Sequence, residues 1–257
     1  MAAWFRSVGV VLLGGCSFQP GSSVAGDAGA DARADAGADA SADAMPQIAE
    51  LAVATVASGS NTSSLTFSLT IPTGSSRFLL VSVQLGTSCS LGSPDVTSVT
   101  YDGVALTQIT SIVGTPCGPS TTRSDQWELV APATGTHDIV VELSANAQTV
   151  HSGAMAFTGI DQLAPVRGSA SASGAGTSSS VTVASAVGDV VVNTVGQGNS
   201  VSAPGPGQTP QFLRNVDSSN TLNNSAGSTA PGAESVSMTW TFGSSDEWQT
   251  ISSSLRP

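Results

Sequence analysis

The sequence predicts an all-β fold, a β-sandwich of jelly-roll type, from three observations. Short segments rich in Val, Thr, Ile, Leu and Phe recur along residues 47–257, and Gly, Pro, Asn, Asp and Ser separate them. Helical periodicity is nearly absent over the same stretch. Only 10% of the residues are charged and 5% are aromatic, while small and β-branched residues abound. About a dozen short strands at this spacing favour a sandwich or jelly roll.

Individual strands are predicted from side-chain alternation and from turn residues. Leu65, Phe67, Leu69 and Ile71 alternate with polar residues, as in a strand with one buried face. The apolar run at 78–83 predicts a strand that is covered on both faces. An Asp-Gly pair at 102–103, between two β-prone segments, is a strong hairpin signal. Further strands are predicted at 126–130, 138–143, 150–157, 181–184, 190–195, 235–242 and 248–255.

The first fifteen residues have the layout of a signal peptide. Arg6 precedes the apolar run 8–13, and small residues lead to Cys16. This run is too short to cross the ~30 Å of bilayer hydrocarbon, and no later segment is long enough, so no transmembrane helix is predicted. The alternative is an ordinary buried cysteine that follows a short hydrophobic helix.

The residues Leu13-Gly14-Gly15-Cys16 resemble the lipobox of bacterial lipoproteins. The resemblance implies cleavage before Cys16, a diacylglycerol and acyl chains such as palmitate on that cysteine, and export to the cell envelope. Two acyl chains make such an anchor durable. Ser17 follows the cysteine where an Asp would retain many such proteins, which implies the outer membrane.

Residues 16–46 form the lipidated N-terminus and an Ala/Asp/Gly-rich tether. Aspartate occurs at every fourth position from Asp27 to Asp43. Like charges at this spacing repel each other on a helix, and no side chain larger than alanine recurs to be buried. A disordered linker that holds the following domain off the membrane is therefore predicted. A helical stalk is the alternative, since alanine favours helix.

Charge excludes several function classes. The net charge is −11 and all seven cations are arginine, without a basic cluster, so nucleic acid is not an expected partner. The absence of lysine excludes Schiff-base chemistry, a Ser-Lys dyad and a P-loop. No cofactor is predicted.

Once Cys16 is assigned to lipid, Cys89 and Cys117 are the remaining cysteines, and an exported domain favours a disulfide between them. Closing a loop of this length would stabilise the fold by roughly 3–4 kcal/mol. Two free thiols are the alternative. His137 and His151 lack the spacing of a zinc site, so no metal site is predicted there. Calcium at loop aspartates such as Asp95 or Asp217 has no ordered spacing to support it.

A faint internal repeat divides the folded part. Residues 62–67 followed by 78–85 are echoed by 177–183 followed by 190–195, and 132–157 is echoed by 231–255. Two small domains or two intertwined halves would both give this pattern. One domain over 47–257 is favoured, because the connection at 159–177 lacks the charge and proline of a linker.

A second resemblance covers most of residues 50–257. The segments 101–107 (YDGVALT) and 156–162 (AFTGIDQ), with Trp127, Leu129 and Pro132 between them, are similar to a module that recurs in bacterial secreted and surface proteins. The resemblance implies the fold and the location of the domain. It assigns no activity, because the shared positions are turns and core residues.

Catalytic motifs are absent from the sequence: no Gly-x-Ser-x-Gly occurs, and the strand, elbow and helix of a hydrolase are missing. The best acid and aromatic neighbourhoods are Asp125 and Glu128 around Trp127, and Asp246-Glu247 beside Trp248. Such groups suit sugar binding by ring stacking and carboxylate hydrogen bonds, or glycoside hydrolysis. The alternative is a polar strand end that precedes a core tryptophan.

The sequence therefore predicts a non-enzymatic, membrane-anchored surface lipoprotein whose sandwich is a binding or adhesion module. Its expected partners are the membrane, through the lipid, and a glycan or another surface protein. A carbohydrate-binding module is the alternative, and a weak glycoside hydrolase ranks below it.

Overall fold

The computed structural model describes residues 49–88, 94–114, 120–215 and 224–257. These ranges form strands and turns without a helix, which confirms the predicted all-β class. The strands are β1 (Ala49–Ile71), β2 (Phe78–Ser88), β3 (Val96–Tyr101), β4 (Val104–Ala105), β5 (Thr107–Val113), β6 (Ser120–Val130), β7 (Gly135–Thr158), β8 (Val166–Ala184), β9 (Val190–Gln197), β10 (Val201–Pro204), β11 (Thr209–Arg214), β12 (Asn224–Pro231) and β13 (Ser235–Leu255). No helix that could span a membrane occurs in the described ranges.

The strands form two antiparallel sheets that pack together as a β-sandwich. The seven-stranded sheet has the order β4-β3-β7-β2-β6-β5, and β1 also pairs with β7. The six-stranded sheet has the order β10-β13-β9-β12-β11, and β8 also pairs with β13. Residues 42–257 make up one compact unit.

The seven-stranded sheet bends to enclose a core of its own. The first part of β7 pairs with β3 and its last part pairs with β2, while β1 follows it throughout. Register shifts, such as the one between Thr62 and Ser64, accommodate the bend. Side chains from β7 and from the strands that pair with it, including Leu69, Val81 and Ile139, pack in one apolar cluster.

The same pairing scheme occurs twice along the chain. β1, β2, β3, β5, β6 and β7 pair among themselves as β8, β9, β10, β11, β12 and β13 do, and β4 has no counterpart. The registers agree as well. Phe78 pairs with Val130 and Phe157, and Val190 pairs with Pro231 and Leu255. We call strands β1 to β7 the first half and β8 to β13 the second half.

The two halves face each other through equivalent strands. At one end of this interface the contact is apolar, with Phe78, Leu80, Met155 and Phe157 of the first half against Val192, Phe212 and Leu255 of the second. In the middle it is hydrogen-bonded. The Gln126 amide of β6 donates to Thr194 Oγ1 at 2.9 Å, and Ser253 Oγ donates to Gln126 Oε1 at 2.6 Å.

The structure differs from the strand predictions in two respects. The predicted strands 138–143 and 150–157 are parts of β7, and 235–242 and 248–255 are parts of β13. The segment 159–177, for which no strand was predicted, is part of a strand from Val166 onward, because β8 begins there and pairs with β13 along its length. Its Ser, Ala and Gly side chains alternate between half-buried and exposed without a hydrophobic signal. The hairpin is confirmed, with positive φ at Asp102 (52°) and Gly103 (73°).

Because the two halves pack closely, a single methyl group added at their interface should destabilise the fold. A Cβ added at Gly153 would overlap the ring of Phe212, a residue of the second half that packs directly against this glycine. We expect Gly153→Ala to lower the free energy of unfolding by about 1–3 kcal/mol, measured by chemical denaturation.

Gly168→Ala is the matched control, because its Cβ would meet only the Ala184 carbonyl oxygen at 3.7 Å. We expect stability to be unchanged or to rise by up to about 1 kcal/mol. Equal losses in the two variants would contradict the packing of Phe212 on Gly153.

Candidate functional site

A shallow depression of about 420 Å³ lies where the β3–β4 hairpin meets the start of β7. Polar groups dominate its lining, because Thr100, Thr136 and Asp138 belong to the face of the sheet opposite to the core. The lining residues are Thr100, Asp102, Gly103, Thr136, His137, Asp138 and Val140.

His137 is fixed from both sides of its ring. Its Nδ1 lies 2.9 Å from Asp102 Oδ1, and its Nε2 lies 3.0 Å from the Thr134 carbonyl oxygen. The ring also meets the edge of Tyr101, with 5.5 Å between ring centroids. Tyr101 in turn donates its hydroxyl to the carbonyl oxygens of Ala133 (3.2 Å) and Gly135 (3.3 Å). Burial, and then the charge of Asp102, raise the pKa of Tyr101, so the phenol stays a donor.

This geometry suits binding better than base catalysis. A general base needs a ring nitrogen aimed at the hydroxyl that it deprotonates. Both nitrogens of His137 already face oxygen atoms of the protein, and no serine lines the depression. The Thr100 hydroxyl and the Asp138 carboxylate also line the depression as hydrogen-bonding groups, whereas Thr136 Oγ1 is paired with Thr70 Oγ1 at 2.7 Å.

The two tryptophans that the sequence singled out lie in different halves. Trp127 is 8% exposed and packs in the core of the first half, which favours the core interpretation over a sugar-stacking platform. Trp248 is half-buried and packs against the second-half cluster around Trp240. A Cβ added at Gly174 would lie 2.8 Å from the Trp248 ring, so β8 covers that face.

The two acids next to Trp248 differ in their contacts. Asp246 accepts hydrogen bonds from Asn199 Nδ2 and from the Glu247 backbone N–H, both at 2.8 Å. Burial, and then the negative charge of Asp246, raise the pKa of Glu247. Asp246 therefore supports the turn, whereas Glu247 Oε2 is buried without a hydrogen-bond partner among the described residues.

The acids near Trp127 have separate roles. Asp125 is fully buried and accepts hydrogen bonds from Arg123 Nε (2.7 Å) and Gln108 Nε2 (2.6 Å). Burial raises the pKa of Asp125, although Arg123 and Gln108 act in the opposite direction. Burial also raises the pKa of Glu128. Arg123 Nη1 extends the network to Asp95 at 2.5 Å.

Several predicted positions lie outside the described ranges: Cys16, Cys89, Cys117 and Asp217. The lipid anchor and the disulfide therefore stay predictions. Asp95 is paired with Arg123 rather than grouped with other acids. The described ranges hold no group of three or more His, Cys, Asp or Glu side chains that could bind a metal ion.

Sequence analysis missed a polar layer between the two halves. Gln84, Ser124, Ser225 and Gln249 are fully buried there, each with at least one polar atom that has no hydrogen-bond partner. The signal lies in the run Phe78–Leu85, where Ser82 and Gln84 interrupt the apolar residues at alternate positions. Residues at this spacing face the same side of a strand.

The Asp125 network predicts a large and local effect on stability. Asp125→Ala would leave the nearly buried Arg123 and the Gln108 amide without this acceptor. We expect a loss of about 3–5 kcal/mol in the free energy of unfolding, measured by urea denaturation.

Asp95→Ala removes the other carboxylate that Arg123 contacts, but this side chain is 71% exposed. We expect it to cost at most about 1 kcal/mol. If both variants lose the same stability, the assignment of Asp125 as the buried centre of the network is wrong.

Comparison of the chain with protein-family models, with curated proteins and with solved structures found no significant match.

Proposed function

We propose that this protein is an exported, lipid-anchored surface protein whose sandwich is a non-catalytic binding or adhesion module. The observation that carries the binding role is the depression at His137, where polar groups are exposed and both imidazole nitrogens are engaged. A surface of this kind offers hydrogen bonds to a ligand without an activated nucleophile.

The anchor is supported by the sequence that precedes the sandwich. The lipobox-like Leu13-Gly14-Gly15-Cys16 is followed by an acidic tether and then by a lysine-free domain. A tether of this composition would let the module reach beyond the membrane surface. Attachment through two or more acyl chains would keep it there.

The strand pairing next to the cysteines supports a Cys89–Cys117 disulfide. Ser88 and Ser120 are Cα partners at the end of the β2–β6 ladder. Cys89 follows Ser88 directly, and Cys117 precedes Ser120 by three residues. The described ends of β2 and β6 therefore lie side by side in the ladder, and a disulfide needs its two cysteines close together. An oxidising location outside the cytoplasm would favour its formation.

Intact mass spectrometry of the full-length protein, extracted from membranes with detergent, tests the anchor. We expect a chain that begins at Cys16 and carries the added mass of a diacylglycerol and acyl groups. In the same spectrum, the disulfide appears as the loss of two hydrogens, regained on reduction.

Cys16→Ala is the control, and it should leave the protein unlipidated and release it from the membrane fraction. Cys89→Ala should remove the mass change on reduction while it leaves the lipid in place. An unmodified N-terminus on the native protein, or membrane association that persists in Cys16→Ala, would refute the anchor.

A further inference from the structure

We propose that the polar end of the interface between the two halves is a binding cleft for an uncharged ligand rich in hydroxyl groups, such as a sugar. This inference rests on the proposed binding function and names a site and a ligand class for it. It is carried by four fully buried side chains, Gln84 and Ser124 of the first half and Ser225 and Gln249 of the second.

These side chains lie in one layer. Gln84 is the Cα partner of Ser124 on β6 and of His151 on β7. Ser225 and Gln249 are both Cα partners of Gly196. Gln84 and Gly196 occupy equivalent positions, six residues after Phe78 and Val190. The row that contains Gln84 and Ser124 is therefore equivalent to the row that contains Ser225 and Gln249, one row lying in each half.

Both rows face the other half. Ser124 precedes by two residues Gln126, whose amide bonds to Thr194 across the interface. Gln249 precedes Ile251 in the same way, and its amide donates to Thr122 Oγ1 of the first half. Side chains two residues apart share a face of a strand, so the whole layer points between the sheets.

The polar atoms of this layer are unusually short of partners. Both amide atoms of Gln84, Ser124 Oγ, Ser225 Oγ and Gln249 Oε1 have no hydrogen-bond partner in the described structure. Native proteins leave only a few buried polar atoms unpaired per hundred residues. The five atoms of this layer therefore offer hydrogen-bonding positions to a ligand that reaches it.

The chemistry of these atoms selects the ligand class. They comprise one amide donor, two amide oxygens and two hydroxyls, and none of them carries a charge. A sugar hydroxyl both donates and accepts, so it can satisfy each of them. An ion would gain nothing here to offset the loss of its hydration.

The interface also has a natural hinge at its other end. The apolar cluster of Phe78, Phe157 and Leu255 includes Ile160 of the connection between the halves. Apolar contacts and covalent linkage hold that end together, whereas hydrogen bonds from Gln249 to Thr122 and from Arg214 to Ser58 join the halves at the polar end. Opening at the polar end would admit a ligand and leave the core of each half intact.

The test compares serines that differ in their partners. The double variant Ser124→Ala, Ser225→Ala removes two unpaired hydroxyls, and Ser253→Ala removes the one that donates to Gln126. Unpaired hydroxyls cost stability, so we expect the melting temperature of the double variant to stay unchanged or rise. Ser253→Ala should lower it. The single variants Ser124→Ala and Ser225→Ala are measured alongside.

Binding is measured by calorimetry on full-length protein in detergent, with glucose, galactose, mannose, N-acetylglucosamine and cellobiose as probes. We expect at least one probe to bind the native protein, and each lost hydroxyl to weaken its affinity about fivefold to tenfold. Ser253→Ala keeps all four side chains of the layer, so it should still bind that probe.

Three results would overturn the cleft: no probe binds, affinity is unchanged in the double variant, or that variant is destabilised as Ser253→Ala is. Sugar binding that is unaffected in the double variant but lost in Asp102→Asn would move the site to the surface depression. That result would leave the proposed binding module standing.

Discussion

The hydrogen bonds of Gln126 hold the two halves of the sandwich together at the centre of their interface. Its amide nitrogen donates to Thr194 Oγ1 (2.9 Å) and to the Ile251 carbonyl (3.3 Å), and its amide oxygen accepts from Ser253 (2.6 Å). All three partners belong to the other half. A buried amide without partners costs about 1–3 kcal/mol for each unpaired group. The halves therefore adopt the one alignment in which every polar atom of Gln126 is paired.

The duplicated halves have diverged most in their charges. Asp125 and Arg123 correspond to Ala226 and Asn224, so the second half lacks the buried ion pair of the first. The second half instead pairs Arg167 with Asp189. Asp189 lies at the position that Arg77 occupies in the first half. Burial opposes the ionisation of Asp189, but Arg167, Ser254 and the Ala186 N–H hold its pKa below the ordinary value. Each half thus has an ion pair of its own, and the two pairs lie at positions that are not equivalent in the repeated pairing scheme.

Hydrophobic patterns predicted the strands whose buried side chains are large, such as the apolar run Phe78–Val83. It failed where buried side chains are small. β12 (Asn224–Pro231) is almost wholly buried, yet its sequence NSAGSTAP has no apolar residue beyond alanine and proline. Its small residues make room for larger neighbours, as Gly227 does for Phe212 on the adjacent strand β11. Such complementarity depends on a strand elsewhere in the chain, which the local sequence does not contain.

The candidate sites were predicted unevenly for the same reason. The Asp102-Gly103 turn was clear from its residues, but the pairing of Asp102 with His137 depends on where β7 begins. Trp127 and Trp248 were singled out by their acidic neighbours, whereas the fold uses Trp127 in a core. Gln84 and Ser124 gained their significance only when the second half brought Ser225 and Gln249 to the same layer.

The alignment of the two halves through Gln126 is tested most directly by a double-mutant cycle between Gln126→Ala and Ser253→Ala. Unfolding free energies of the two single variants and the double variant give the coupling across the interface. We expect a coupling of about 1 kcal/mol between Gln126 and Ser253 in favour of the native pair. Additive losses, within about 0.3 kcal/mol, would contradict it, because they would mean that the two side chains do not meet.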